Sequence, residues 1–141
     1  MAAAGPGAAS LATVRTILLA SDDDALVAEV DAALVDDDTR LAVVKAGRDV
    51  ADAVVEVGCD LVVLDLQIGN MGGMAACRHL RLESGAGRIP DQRIILLLDR
   101  AADALLAHQS GADAHLVKPL DALRLQDTVA EVLADRRSVG A

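Results

Sequence analysis

Five short apolar runs recur along the chain, at residues 16–20, 41–44, 61–65, 94–98 and 115–117, and a helix-length segment separates each from the next. Runs such as Leu61-Val62-Val63-Leu64 and Ile94-Ile95-Leu96-Leu97-Leu98 are apolar at every position, not at alternate ones. A strand of that kind has both faces covered, which is the mark of a parallel sheet. The segments between them carry helical spacing. Leu26, Val30 and Leu34 lie four apart and share one helix face, and Asp36-Asp37-Asp38 closes that helix. Val50, Val54 and Val57 define a shorter helix stopped by Gly58. Gly69 to Gly73 reads as a loop before a helix over residues 74–82, and Gly85, Gly87 and Pro90 mark the turn after it. Residues 101–109 form a helix stopped by Ser110-Gly111. Asp121 caps a last helix with Leu125, Val129, Val132 and Leu133 inward. Strict β–α alternation gives the α/β class: a doubly wound, five-stranded parallel sheet with right-handed crossovers. Such a sheet places its ligand site at the carboxyl ends of the strands, where the strand order reverses.

The 141 residues fit one domain. With no Phe, Tyr or Trp, its core must be built from Val, Leu, Ile and Ala. Residues 1–14 read as a disordered lead-in, 15–135 as the domain and 136–141 as a flexible tail. The N-terminus lacks the basic and apolar regions of a signal peptide, and no apolar run approaches the ~20 residues of a membrane helix. A cytoplasmic location is expected. With 13 Lys and Arg against 22 Asp and Glu, the net charge is −9. That balance argues against duplex nucleic acid and anionic membrane as partners. Cys59 and Cys77 form no CxxC pair and read as buried or half-buried free thiols of a reducing compartment.

The strand ends collect the chemistry. Ser21, Asp22 and Asp23 follow the first run, Asp65 ends the third, Asp99 ends the fourth, and Lys118-Pro119 follows the fifth. Carboxylates gathered this closely repel unless a cation sits among them. Hard oxygen donors suit Mg²⁺, which takes one or two carboxylates and keeps several waters. Lys118 carries extra weight because the chain has 11 Arg and only two Lys, the other being Lys45. A compact ammonium at that one place fits pairing with a carboxylate or a phosphoryl group. Any single Asp carries less weight, since 18 of the 22 acids are Asp.

The pieces ILLASDDDALV, LVVLDLQIGNMGG and GADAHLVKPLD, from about Thr16 to Leu133, resemble the receiver domain of response regulators, the CheY-like family. The resemblance implies a flavodoxin-like (βα)5 fold with strand order 2-1-3-4-5. It implies that Asp65 takes a phosphoryl group from a phosphohistidine or a small acyl phosphate, giving an aspartyl phosphate. It assigns Mg²⁺ to Asp22, Asp65 and the backbone carbonyl of Gln67, with Asp23 as a further candidate. Lys118 would steady the transferred charge, and the Lys118–Pro119 bond is expected to be cis.

Four positions depart from the family pattern. Ser21 stands where the first of two adjacent acids is usual, so the Mg²⁺ site has one charge fewer, although Ser21 could hold a metal-bound water. Asp24 stands where the family often has Pro. Asp99 replaces the switch Thr or Ser, and an ionised carboxylate accepts hydrogen bonds but cannot donate them. It would also face a phosphoryl group of about −1.5 to −2 charge. His115 replaces the usual switch aromatic; it reads either as an exposed residue on a strand edge, or as a group that senses pH or pairs with Asp99. His79 and His108 read as solvated.

Two functions follow from the resemblance and its departures. One is a stand-alone phosphorylatable receiver, served by a sensor histidine kinase or another phosphodonor. The other is an atypical pseudo-receiver that binds protein partners without phosphorylation. A phosphatase-like hydrolase lacks its second acid, because Gln67 holds that place. No output domain is expected after the last helix, so the signal is expected to leave by contact with an effector or in a homodimer. The surface implied is the fourth helix, fifth strand and fifth helix, with Leu105, Leu106, His108, Leu123 and Arg124 among its residues. Some of these are expected to face the core. Apart from phosphoryl acceptance on Asp65, no enzyme activity is expected.

Overall fold

The structure, a computed structural model, describes residues 14–135. The expected tail over 136–141 lies outside the described residues, as does the expected lead-in over 1–14 apart from Val14. The strands are β1 (Arg15–Ala20), β2 (Thr39–Val44), β3 (Leu61–Asp65), β4 (Ile94–Leu98) and β5 (Ala114–Val117). The helices are α1 (Asp24–Leu34), α2 (Val50–Val57), α3 (Gly73–Gly85), α4 (Ala104–Gln109) and α5 (Ala122–Ala134). The sheet order is β2-β1-β3-β4-β5, with every neighbour parallel. This is the flavodoxin-like order expected of the resemblance.

The uniformly apolar runs are buried on both sides of the sheet. Every residue of β3 and β4 is buried, and Ile94 to Leu98 expose nothing. One face packs Ile17, Leu19, Val63, Ile95 and Leu97 against Leu26, Val30 and Leu34 of α1 and Leu125, Val129 and Val132 of α5. The other packs Leu18, Val62, Leu64, Ile94 and Leu96 against Val50 and Val54 of α2, Ala76, Cys77 and Leu80 of α3 and Ala107 of α4. Full burial of one such side chain is worth about 1.5–3 kcal/mol, so the aliphatic core suffices without an aromatic. β2 is an edge strand, and its Leu41 to Val44 are only half-buried.

Local signals set the ends of several elements. Asp23 Oδ1 accepts from the Ala25 and Leu26 amides and caps α1, and Asp121 does the same for α5 from Leu123 and Arg124. Gly58 closes α2 at φ 67, a left-handed conformation that costs glycine least. Four differences from the sequence reading have physical causes. β1 and β2 start earlier, because Arg15 and Thr39 pair with each other in register. α3 runs on to Gly85, beyond the expected residue 82; glycine is permissive enough to sit in a last turn. Residues 101–103 form a 3-10 turn before α4, not part of one helix. Val57, expected on the inner face of α2, is 39% exposed because it lies in the final turn beside Gly58.

Candidate phosphoacceptor site

Register brings the site together. Ala20 pairs with Leu64, so the next step along β1 and β3 sets Ser21 beside Asp65. Leu98 pairs with Val117, so the next step along β4 and β5 sets Asp99 beside Lys118. Backbone bonds from Ser21 to Val44, from Leu66 to Leu97 and from Lys118 to Leu98 carry the sheet up to that edge.

Asp65 is the centre, only 1% exposed. Its Oδ1 accepts from Lys118 Nζ at 2.6 Å and from the Gln67 amide at 3.0 Å. Its Oδ2 accepts from Ser21 Oγ at 2.8 Å. The buried carboxylate is thus paired and hydrogen-bonded, which is the condition for keeping a charge out of water. Lys118 also meets Asp99 Oδ1 at 3.3 Å. Burial pulls the Lys118 ammonium down, but the hydrogen bond and charge of Asp65, with Asp99 adding, hold it above the ordinary lysine value. The Lys118–Pro119 peptide is cis, as the resemblance implied.

The remaining acids divide their work. Asp22 is exposed, and its Oδ2 accepts from the Gly69 amide at 3.1 Å, tying the end of β1 to the loop after β3. That loop is also held from the next crossover, because the Gly47 amide donates to Gly69 at 2.9 Å and the Arg48 amide donates to Asn70 at 2.8 Å. Asn70 and Met71 take positive φ of 54° and 79°, rare for residues with side chains. The Asp23 carboxylate is engaged at the α1 cap and Asp24 pairs with Lys45 at 2.5 Å, so both carboxylates have partners other than the Asp65 group.

Among the expected site residues, the structure brings Asp65, Lys118 and Asp99 into one ion-paired group, with Asp22 and Gln67 on the adjoining loops. The Asp99–His115 pair is not formed. His115 lies exposed on the edge strand β5, in register with Leu96, while Asp99 turns to Lys118. His108 is exposed, whereas His79 is half-buried. Cys59 is half-buried and Cys77 buried, both as free thiols. Two features escaped the sequence reading: the Ser21 hydroxyl bonded to Asp65, and Gly47 closed down on the β3–α3 loop. A Cβ on Gly47 would lie 1.8 Å from the Met71 carbonyl oxygen. Both depend on register and loop path, which leave no mark in a single sequence.

The donor set was tested against a divalent cation. Asp22, Asp65 and Asp99 supply hard oxygens at this edge; with Asp99 turned to Lys118, Asp22 and Asp65 remain, enough in kind for Mg²⁺ with waters. Among the described residues no group of three His, Cys, Asp or Glu side chains is placed to hold a metal. The described side chains match Mg²⁺ in kind but do not by themselves assemble a three-donor site.

Residues 17–130 match the family model described as the response regulator receiver domain. The DNA-binding response regulator MtrA of Mycobacterium bovis is 36% identical over 128 residues, covering 89% of this chain and 52% of MtrA. The chain thus spans about half the length of the curated relatives of this kind that it matches. Among solved structures, the BeF3-activated N-terminal receiver domain of Klebsiella pneumoniae RstA superposes with a TM-score of 0.75 at 24% identity, over 86% of this chain and 100% of that one. The Vibrio cholerae chemotaxis protein CheY4 gives a TM-score of 0.73 at 20% identity, over 84% and 98%.

Proposed function

Because the chain belongs to the response-regulator receiver family of two-component signalling, we propose that its unit over residues 15–135 accepts a phosphoryl group on Asp65 and passes the signal on by protein–protein contact. The observation that carries this reading is the Asp65–Lys118 pair, 2.6 Å apart with Asp65 buried at the strand ends. One Asp65 oxygen attacks the phosphorus of a phosphohistidine or a small acyl phosphate. The new O–P bond forms as the donor's P–N or P–O bond breaks, and the leaving group keeps the electron pair. Lys118 holds its charge beside both the nucleophile and the transferred group, and the Gln67 amide fixes the carboxylate plane. Asp22, Asp65 and the Gln67 carbonyl are the groups that would hold Mg²⁺, which neutralises developing phosphoryl charge when bound. This acceptance is autocatalytic, and the protein is a signalling module, not a turnover enzyme.

A second reading is favoured by one observation, the Asp99–Lys118 contact at 3.3 Å. A carboxylate already occupies the switch position and already pairs with the lysine, as a phosphorylation-independent binding module would require.

Either way the partner is a protein. Leu105, Leu106 and Leu123 are 65%, 53% and 70% exposed, and His108 and Arg124 are exposed beside them. The expectation that some of these five face the core is corrected: α4 turns only Ala107 inward, and α5 uses Leu125, Val129 and Val132. A groove of about 610 Å³ runs along this face, lined by His108, His115, Arg124 and Glu131 among others. An effector or a second copy would bind here, and a sensor histidine kinase or another phosphodonor would serve Asp65. The acidic net charge of −9 opposes direct nucleic-acid or anionic-membrane binding. Among the described residues no helix is long and apolar enough to cross a membrane, and a cytoplasmic location belongs to the same proposal.

Incubation with Mg²⁺ and a small phosphodonor, followed by intact mass measurement, tests the reading. The expected result is the mass of one phosphoryl group on the wild type and none on Asp65→Asn. No adduct on the wild type, beside a working control receiver, overturns phosphoacceptance and leaves the binding module. Light scattering across concentration then decides between a second copy and a separate effector.

A further inference from the structure

We propose that Ser21 is a positioning residue that takes over part of a cation's place at Asp65, so that the acceptor carboxylate is oriented by a hydroxyl and divalent binding is weakened by that hydroxyl itself. The inference rests on the reading of Asp65 as the functional carboxylate, and it goes beyond the missing charge. Ser21 is wholly buried. Its Oγ accepts from the Asp23 amide at 3.1 Å and lies 2.8 Å from Asp65 Oδ2. An ionised carboxylate only accepts, so the one hydroxyl proton must point to Asp65. A carboxylate offers about four lone-pair positions. Protein donors use three of them here: Lys118 and the Gln67 amide on Oδ1, and Ser21 on Oδ2.

A cation approaching Asp65 must therefore displace a donor or accept the one remaining lone pair. Asp22, the other side-chain candidate, already accepts a hydrogen bond from the Gly69 amide on Oδ2. Ser21 thus acts twice against a divalent ion. It supplies no charge of its own, and it occupies a lone-pair position on Asp65 Oδ2 that a cation could otherwise use. The same hydrogen bond keeps Asp65 aimed with no cation present. If Ser21 instead held a metal-bound water, its oxygen would help the ion, and removing it would weaken binding.

Calorimetric titration of the unphosphorylated protein with Mg²⁺ alone separates these roles, because it does not depend on whether Asp65 accepts phosphate. Ser21→Ala removes the donor and adds no charge; the proposal expects it to bind Mg²⁺ several-fold more tightly than the wild type. Ser21→Asp removes the donor and adds a ligand charge, with an expected gain of about tenfold or more, the scale on which groups supporting a metal site act. Weaker or unchanged binding by Ser21→Ala overturns the proposal. Should Ser21→Ala fail to fold by circular dichroism, the dependence of melting temperature on Mg²⁺ in Ser21→Gly, which also removes the donor and adds no charge, decides. A larger Mg²⁺-induced rise than in the wild type supports the proposal, and an equal or smaller one overturns it. Phosphoryl adducts are scored separately by mass, so loss of phosphoacceptance with the expected Mg²⁺ shifts would count only against the functional reading.

Discussion

Asp99 Oδ1 lies 3.3 Å from Lys118 Nζ, so the ammonium that pairs with Asp65 is shared with a second carboxylate. Two anions then bracket the place where a phosphoryl group would arrive. The Asp99 side chain is 36% exposed, which moderates its repulsion through water. Replacing it with Thr removes that charge and supplies a donor. At roughly 1 kcal/mol for one such charge in a wet setting, Asp99→Thr should raise phosphoadduct yield about fivefold. Asp99→Asn removes charge without adding a hydroxyl, so the mass measurement run on both variants separates the two effects.

Lys118 neutralises a carboxylate that is almost fully buried. Lys118→Met leaves that charge with only neutral donors, and a loss of about 2–3 kcal/mol is expected in urea unfolding. The double variant with Asp65→Asn should recover most of it, because the penalty belongs to the unpaired charge. Simple addition of the two single losses would show that the pair contributes nothing beyond packing.

Burial pushes the Cys59 thiol up to about 11 from an ordinary 9.0. Below pH 9 both folded and unfolded chains keep the proton. Above it the unfolded chain loses its proton first, so stability should fall as pH rises from 9 towards 11. With no Tyr in the chain, few groups compete in that range. Thermal melts of wild type and Cys59→Ala should diverge on the alkaline side and run parallel at pH 7. The same burial predicts slow reaction of Cys59 with a disulfide reagent at pH 8.

Gly47 meets the β3–α3 loop with no space for a side chain: a Cβ there would lie 1.8 Å from Met71 O and 2.8 Å from Asn70 O. Those contacts are backbone, so relief requires moving the loop that follows Asp65. Gly47→Ala should cost about 2 kcal/mol in urea unfolding, the middle of the overpacking range. It should also lower phosphoadduct yield through the displaced Gly69 and Asn70. Gly85→Ala, where nothing lies within 4 Å, serves as the tolerant comparison.

The fold was legible because its signals are local. Uniform apolar runs such as Ile94–Leu98 specify buried parallel strands, and Asp121 and Gly58 bound helices with their own side-chain or backbone chemistry. Edges and short turns were less legible. The starts of β1 and β2 depend on the pairing of Arg15 with Thr39, and the 3-10 turn at residues 101–103 breaks a segment that reads as one helix.

The sequence by itself determined which groups stand at the reactive edge, since a parallel sheet delivers the carboxyl ends of all its strands to one side. Asp22, Asp65, Asp99 and Lys118 follow from strand order and residue identity alone. Tertiary structure decided their partners. Register set Ser21 against Asp65, and it set Asp99 against Lys118 and away from His115. Hydrogen bonds and ion pairs are decided over distances of a few ångströms, and parallel strands joined by long crossovers fix those distances only when the whole sheet has closed.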